Sequence, residues 1–552
     1  MHIRQLGPEL ALSEVMIRAR TWSLVAALSA MVACGGGSYD DDGYASSSDA
    51  GAFGSNDGGT GGGNIDLGGA GDIGYFRQLL EQGIVPSPGD LDSSGFFAEH
   101  YLVQPPADCG ERVCVQGMLA VMPDLLTGAQ TAMLQLGLNT NVAIDPDTRP
   151  PLTLSVVVDV SGSMQAKMPD VRTALSTLIT ELRDDDKLSL VRYSDTAEVV
   201  APLAFVGETR SELLALVQDL QANGGTNLYA GLELGYQEVQ SAFDLDRQNR
   251  VILLSDGNPT VGTTSIPDIS SMSAGYNSEG LAITSIGLGT SFNVELMRGL
   301  AEQGNGNHYF LENTEAIEEV FTEELAYFTV PVAFDVTLNV RAGSLYDFKR
   351  AYGSSFWEDS ELGGGISVPS VFIAHRVSHD DTTPGENGGR RGGGSALLVN
   401  LGHKETLPEP AVSEAEIALI DVSFREPGAT ELTTQSIIMN YPFAPDSMPQ
   451  QGYFDAADPA IVHKSFAMLN IYRALERGCA DFHAGLGTHA IWTLRRVEAA
   501  ILDYNEELYD GEGDEDMTAD LLLVNKLIEV MIENGAVPPT DLDLPADPWP
   551  AD

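Results

Sequence analysis

The run from Val156 to Met164, V-V-V-D-V-S-G-S-M, constrains the fold more than any other part of this chain of 552 residues. Its β-branched valines predict a buried strand, and Asp159 stands where that strand ends. Ser161 and Ser163 follow at alternate positions. One carboxylate and two hydroxyls therefore lie on a tight loop at the carboxyl end of a strand, where α/β sheets bind ligands. Such oxygen donors suit Mg²⁺ and Mn²⁺.

Two later segments add donors of the same kind. A glycine-flanked loop at 224–227 offers a threonine hydroxyl, and a second apolar run at 251–254 leads through a serine to another aspartate. The combined set resembles the metal-ion-dependent adhesion site of the von Willebrand factor type A family in residue type, order and approximate spacing. The matching residues are Asp159, Ser161, Ser163, Thr226 and Asp256.

This resemblance implies that the three hydroxyls coordinate a divalent cation and that the two aspartates bind it directly or through water. Mg²⁺ is the preferred ion, with Mn²⁺ and Ca²⁺ as alternatives. An acidic side chain of a protein partner takes the open coordination position, so the expected ligand is a protein with an exposed Asp or Glu. The competing interpretation is a vestigial or purely structural site. Integrin-type sites continue with an acidic pair, but here Gln165, Ala166 and Lys167 follow, so no adjacent second cation is expected.

Residues 150–328 alternate strand and helix patterns, which predicts a doubly wound, mostly parallel α/β sheet covered on both faces. The expected strands are Leu152–Asp159, Lys187–Tyr193, Glu198–Leu203, Arg250–Asp256, Ala282–Leu288 and His308–Leu311. The expected helices are Pro169–Leu182, Arg210–Gln221, Asn227–Ala242, a helical or irregular stretch near 265–279, Val294–Glu302 and Thr314–Tyr327.

The flanking segments read as β-structure. Strands are expected at Val113–Met122 and Ala129–Leu138, and residues 331–442 alternate like half-buried strands separated by glycine-rich turns at 363–365 and 388–394. This composition predicts a β-sandwich into which the α/β domain is inserted. The expected later strands are Ala333–Val340, Ser367–Ala374, Ala396–Leu401, Glu416–Phe424 and Gln435–Tyr441.

The C-terminal part is predicted to be helical, at Ile461–Leu475, Ala484–Tyr504 and Met517–Glu533, with a solvated acidic loop at Asp510–Asp516. The complete division is a signal peptide (1–33), a flexible Gly/Ser/Asp-rich tether (34–74), an N-terminal segment with sandwich strands (75–149), the type A domain (150–328), the β-sandwich (329–442), the helical region (443–535) and a disordered tail (536–552). Segment 75–149 resembles the region that precedes the type A domain in a group of bacterial von Willebrand lipoproteins.

The N-terminus has the pattern of an exported protein. Arg18 and Arg20 precede the apolar run Trp22–Ala33, which is too short to span a bilayer and suits a signal peptide. The residues around Cys34 resemble a lipobox, so Cys34 is expected to carry a lipid; a plain secretory signal is the alternative. The tether has a mean reach of about 35 Å as a random coil. The residue after Cys34 is Gly35 and not the aspartate that, in some bacteria, retains lipoproteins at the inner membrane. A location in the cell envelope, at the outer membrane, is therefore expected.

The net charge limits the classes of partner. A formal net charge of −51 argues against binding to nucleic acid and against electrostatic attraction to anionic lipid.

Cys109 and Cys114 are close in sequence and are expected to form a disulfide in an exported protein, since no further zinc ligands are nearby. Cys479 is expected to be a buried thiol. Phe96, Phe97 and Tyr101 are expected to make core contacts.

These features predict an envelope-anchored binding protein that is not an enzyme and that reaches the membrane through its N-terminal lipid. An alternative is an assembly or chaperone component that engages an envelope enzyme or secretion system. A metal-dependent hydrolase ranks last, because no histidine is tied in sequence to Ser161 or Ser163 and no nucleophile-elbow or P-loop motif is present.

Overall fold

The protein is described here by a computed structural model of residues 63–66, 73–100, 102, 107, 109–124, 126, 130–140, 150–256, 258–288, 293–304, 306, 308–311, 331–344, 346–354, 356–373, 397–404, 416–427, 429–440, 453–454, 459–508 and 514–540. Cys34, Tyr101, the turn expected at 388–394 and the helix expected at Thr314–Tyr327 lie outside these residues. No helix within the described ranges combines the length and apolarity needed to cross a bilayer.

The described elements follow the chain in three groups. The first group is β1 (Gly63–Asp66), α1 (Gly74–Glu81), α2 (Ser93–Ala98), β2 (Val113–Pro123) and β3 (Gln130–Thr140). The α/β domain contains β4 (Leu152–Asp159), a 3-10 turn (Gly162–Ala166), α3 (Met168–Glu181), β5 (Lys187–Tyr193), β6 (Ala197–Phe205), α4 (Val206–Gln218), α5 (Leu228–Gln240), β7 (Gln248–Ser255), α6 (Ile266–Asn277), β8 (Ala282–Leu288), α7 (Val294–Gln303) and β9 (His308–Leu311). The last group is β10 (Pro331–Ala342), β11 (Tyr346–Tyr352), β12 (Trp357–Ser360), β13 (Gly363–Ile373), β14 (Leu397–His403), β15 (Glu416–Arg425), β16 (Leu432–Asn440), β17 (Tyr453–Phe454), α8 (Pro459–His483), α9 (Gly487–Leu508) and α10 (Glu515–Glu533).

The α/β domain is built on a sheet that has, among the described strands, the order β6-β5-β4-β7-β8-β9. All neighbours pair in parallel except β5 and β6, which are antiparallel. Every residue of β4 is buried. Its two sets of side chains enter two cores, one shared with α3 and α4 and the other with α5, α6 and α7. The doubly wound, mostly parallel sheet predicted from the sequence is confirmed.

Two glycines allow α5 to approach this sheet closely. A Cβ atom on Gly231 would lie 2.6 Å from Cγ of Tyr193, and one on Gly235 would collide with Val157. Contacts this short do not occur between real side chains, so the distance between helix and sheet depends on both glycines. Helix α5 begins one residue after Asn227, and its position therefore determines where the loop that contains Thr226 lies.

The α/β domain is inserted in a β-sandwich, as predicted. One antiparallel sheet contains β2, β3, β11, β14 and β17, the other contains β10, β12, β13, β15 and β16, and β1 pairs with both. Their facing side chains, such as Leu119, Leu134, Leu338 and Phe424, form one core. The chain enters the α/β domain after β3 and returns to the sandwich at β10.

Helices α8, α9 and α10 cover the outer face of the first sheet. In β2, Leu119 and Val121 face the sandwich core, whereas the alternate residues Met118 and Ala120 pack against the helices. This sheet is therefore buried on both faces, which explains the nearly continuous apolar run of β2. The part of the molecule outside the α/β domain has three layers: sheet, sheet and helices.

Helix α2 of the N-terminal segment packs against α8. Phe96 and Phe97 are fully buried, and their ring centroids lie 5.6 and 5.5 Å from the ring of Tyr472. Phe97 also approaches Tyr352 of the sandwich, at 6.5 Å. The predicted core contact is correct for these two phenylalanines, but its main partner is a helix because α8 crosses the same sheet face.

Three sequence-based expectations need correction. Residues 363–365 are not a turn but the start of β13, and β11 and β12 were not predicted. Glycine is required there because a Cβ on Gly364 would lie 2.6 Å from the Trp357 ring. Residues 63–66, expected in the tether, form a strand paired with β3 and β13.

The third difference concerns the acidic segment before α10, which was expected to be a solvated loop. The ammonium group of Lys464 donates to Asp514 at 2.9 Å and to Asp516 at 2.7 Å. The Asp516 side chain is only 2% exposed, so these two carboxylates belong to a buried ion cluster and not to a solvated loop. Buried carboxylates require such a partner, because an unpaired buried charge is strongly destabilising.

Three of the four cysteines lie in the described part of the chain. Cys109 and Cys114 are joined in a disulfide. Cys479, a residue of α8, is free and buried in the core, and this burial raises the pKa of its thiol well above the usual value.

We expect Gly231→Ala to lower the free energy of unfolding by about 1–3 kcal/mol, the range for overpacked cores, because Tyr193 must move to admit the methyl group. Gly275→Ala on α6 is the matched control, since no atom lies within 4 Å of its Cβ position. The control should be neutral or gain up to about 1 kcal/mol. Urea unfolding of both variants measures the difference, and equal stabilities would contradict this account of helix packing.

Candidate metal centre

The candidate site lies at the carboxyl edge of the central strands. Strand β4 ends with Asp159 between β5 and β7, both parallel to it. Strand β7 ends with Ser255, and Asp256 follows directly. Both aspartates are buried, with residue exposures of 0% and 1%. The three parallel strands therefore deliver two carboxylates to one edge of the sheet.

The loop after β4 is held by its own backbone. The Ser161 amide donates to Oδ1 of Asp159 at 2.8 Å, and the Val160 amide donates to the Tyr193 carbonyl at 2.8 Å. The Gly162 amide donates to the Gly224 carbonyl at 3.0 Å. This last hydrogen bond joins the serine loop to the loop that contains Thr226.

The hydroxyls and carboxylates form a continuous polar chain. The Oγ atoms of Ser161 and Ser163 are 3.0 Å apart, and Ser163 Oγ donates to Oδ1 of Asp256 at 2.7 Å. On the other side, Ser255 Oγ donates to Oδ2 of Asp159 at 2.9 Å. Four of the five predicted ligands are therefore linked within one hydrogen-bonded cluster.

Thr226 reaches the same edge through its backbone. Gly224 adopts φ +77°, a conformation that favours glycine, and the Gly225 amide donates to Oδ1 of Asp195 at 2.9 Å. The Thr226 amide donates to Thr260 Oγ1 at 2.9 Å. Thr226 is 4% exposed, and Asn227 caps α5 by accepting from the Ala230 amide.

Burial dominates the electrostatics of Asp159. Desolvation raises the pKa of its carboxyl group, hydrogen bonds from Ser161 and Ser255 act in the opposite direction, and the nearby charge of Asp256 raises it further. Tyr193, whose hydroxyl lies 3.4 Å from Oδ2 of Asp159, also has a pKa well above its usual value, chiefly because it is buried. A buried carboxylate that is costly to ionise, as Asp159 is, favours the binding of a cation beside it.

A cationic side chain already contacts this cluster. The Lys167 ammonium donates to Oδ2 of Asp256 at 2.6 Å and to the Leu288 carbonyl at 2.9 Å. In the sequence, Lys167 stands only as one of the residues that replace the acidic pair of integrin-type sites. Lys167 and Asp256 are 89 residues apart in the chain, so their contact is not visible in the local pattern. The one sequence signal is that a basic residue lies four positions after Ser163.

The donor set fits a hard divalent cation. It consists of two carboxylates and three hydroxyls, all oxygen, as Mg²⁺ requires. Among the described residues, no group of three His, Cys, Asp or Glu side chains could hold a metal, so a metal at this edge depends on the serine and threonine hydroxyls. The Lys167 ammonium shows that a positive charge is accommodated beside Asp256.

The α/β domain matches a described protein family. Residues 154–323 match the family described as von Willebrand factor type A domain. The Escherichia coli (strain K12) protein YfbK is 31% identical over 194 residues, which are 35% of this chain and 34% of YfbK. Inter-alpha-trypsin inhibitor heavy chain H2 of Mus musculus is 24% identical over 224 residues, 38% of this chain and 23% of that protein. The chain thus spans about a third or less of these relatives.

A solved structure of a von Willebrand factor type A protein from Catenulispora acidiphila is similar over 77% of this chain and 99% of that chain. Its TM-score is 0.49 and its sequence identity is 15%.

The raised pKa of Asp159 predicts a pH-dependent stability difference in the presence of a chelator. A carboxyl whose folded-state pKa lies above its unfolded value of about 3.9 stabilises the fold at low pH. That contribution is lost as the pH rises through the folded-state pKa. Asp159→Asn does not ionise, so its stability relative to the parent protein should increase between pH 4 and pH 7.

Urea unfolding at a series of pH values measures this difference. The matched control is Asp246→Asn, which makes the same change at an exposed position. Asp246 precedes β7 and therefore lies at the opposite end of the sheet from Asp159. A difference between Asp159→Asn and the parent protein that stays constant with pH would show that burial does not control this carboxyl.

Proposed function

Because residues 154–323 form a von Willebrand factor type A domain, we propose that this chain is a binding protein whose domain uses a divalent cation to engage an acidic side chain of a protein partner. The domain family supports a role in protein–protein interaction. The observation that carries the proposal is the linked cluster of Ser161, Ser163 and Asp256 beside Asp159 at the carboxyl edge of the sheet.

The side chains that would hold the ion divide into two kinds. Asp159 and Asp256 provide negative charge, and Ser255 orients the first of them through its hydroxyl. The hydroxyls of Ser161, Ser163 and Thr226 provide neutral oxygens. When bound, the ion supplies a Lewis-acidic centre for a carboxylate oxygen of the partner, since two protein carboxylates leave little negative charge in excess. Mg²⁺ is the preferred ion, with Mn²⁺ or Ca²⁺ as alternatives.

Binding, and not catalysis, is the proposed activity. A hydrolase needs a general base within hydrogen-bond reach of the reacting group. Ser255 and Tyr193 contact Asp159, and Lys167 contacts Asp256. In this proposal these groups orient the two aspartates or compensate their charge.

Cation titration tests the site. We expect the full chain to bind Mg²⁺ or Mn²⁺ saturably in calorimetry, and Asp159→Ala to weaken binding by more than about 100-fold, beyond the effect of groups that only orient a ligand. Asp246→Ala is the control for charge and should bind like the parent protein. Equal binding by all three proteins would refute a site at Asp159.

Partner binding provides the second test. A protein retained from an envelope extract by the parent chain should be released by chelator and should not be retained by Asp159→Ala. The retained protein should lose binding when one exposed Asp or Glu is changed to the corresponding amide. Retention that is equal with and without chelator would contradict cation-dependent capture.

We further propose that Cys34 carries a lipid that anchors the chain in the cell envelope, with the outer membrane preferred. The support is the sequence pattern alone: two arginines, a short apolar run and a lipobox-like motif. Metabolic labelling with palmitate should mark the parent chain and Cys479→Ser but not Cys34→Ser. Equal labelling of all three proteins would contradict lipidation at Cys34.

A further inference from the structure

Lys167 is tied to the candidate metal centre by its charge. Its ammonium lies 2.6 Å from Oδ2 of Asp256, a carboxylate with no exposed side-chain area, and Lys167 itself retains 29% exposure. The other oxygen of Asp256 accepts from Ser163. One aspartate therefore interacts with a serine of the donor set on one side and with a tethered cation on the other.

The fold positions Lys167 for this contact. Its amide donates to the Met164 carbonyl at 2.9 Å, and both Met164 and Met168 are buried beside it. The ammonium also donates to the carbonyl of Leu288, the last residue of β8. The backbone and the far end of this side chain are thus both fixed, so the ion pair is part of the folded structure.

We propose that Lys167 is a built-in counter-cation that lowers the affinity of the site for divalent ions. The inference rests on the proposed function, because it concerns the same cluster. In the cation-free protein, the ammonium compensates one of two buried carboxylates. A divalent ion that enters must either displace the ammonium from Asp256 or bind close to its positive charge, and both alternatives oppose ion binding.

Lys167 also affects the net charge of the ion-occupied site to which an acidic ligand would bind. The two aspartates alone would neutralise a divalent ion, whereas the added ammonium leaves a net positive charge at the rim. The chain as a whole carries a formal net charge of −51, which repels acidic partners at long range. Lys167 therefore lowers the affinity of the site for the ion and raises the attraction of the occupied site for a carboxylate.

The test compares Mn²⁺ binding by the full chain and three variants in calorimetry. Lys167→Gln keeps a hydrogen-bond donor near Asp256 but removes the charge, and Lys167→Arg keeps the charge. Lys187→Gln removes a charge of the same kind at the start of β5. Lys187 is six residues before Tyr193, the residue opposite Asp159, and therefore lies roughly 20 Å along the strand from the site. We expect Lys167→Gln to bind Mn²⁺ roughly tenfold or more tightly, equal to about 1.4 kcal/mol, while the other two variants bind like the parent chain.

A carboxylate probe tests the second consequence. With the site saturated by Mn²⁺, acetate is titrated, and its approach is followed through the Mn²⁺-dependent relaxation of water protons. Acetate should bind more weakly to Lys167→Gln than to Lys167→Arg. Thermal unfolding with chelator accompanies each variant, so that a loss of folding is distinguished from a change in affinity.

The outcomes separate this inference from the proposed function. Mn²⁺ binding by the parent chain that Lys167→Gln leaves unchanged or weakens would overturn the role of Lys167 and leave the site intact. Saturable binding by neither the parent chain nor folded Lys167→Gln would overturn the site itself, and the inference with it. Binding detected only in Lys167→Gln, and abolished by adding Asp159→Ala, would support both.

Discussion

The parallel pairing of β4 with β5 and β7 is the constraint from which the site follows. Asp159 lies opposite Tyr193 on one side, and Val158 lies opposite Leu254 on the other, so three strands end at one level. The residues that follow them must meet there. Thr226 follows no strand, and it reaches this edge because the turn after β5 binds its loop: the Asn227 amide donates to the Ser194 carbonyl at 2.8 Å.

Charge balance at this edge links stability to binding. A buried carboxylate without a partner destabilises a fold, and Lys167 satisfies that requirement for Asp256 while no ion is bound. In the proposal made above, the same ammonium opposes the entry of a divalent ion. Lys464 plays a comparable structural part for Asp514 and Asp516, but there the ammonium is only 9% exposed and has less freedom to leave. The Lys464 ammonium is thus more deeply buried than that of Lys167, whose side chain is 29% exposed.

The sequence predicted the elements whose pattern is local. The bounds of β4, β5, β8 and β9 were predicted at both ends, and β4, β5 and β8 are apolar runs that are mostly buried. Helix α8 was predicted to end at residue 475 but continues to His483, past Gly478, where a Cβ atom would lie 3.2 Å from the Leu494 side chain. Strand β11 carries charged residues, and the glycines of β13 resemble a turn. The position of Lys167 beside Asp256 depends on tertiary distance, which no local pattern encodes.

The insertion of the α/β domain has a mechanical consequence. The domain leaves the sandwich after β3 and returns at β10, and these strands belong to opposite sheets that share one core. A tensile load applied at the metal edge is therefore divided between two covalent connections. Each connection leads into a strand that is paired on both sides, so the load is resisted by rows of hydrogen bonds in both sheets and not by a single flexible linker.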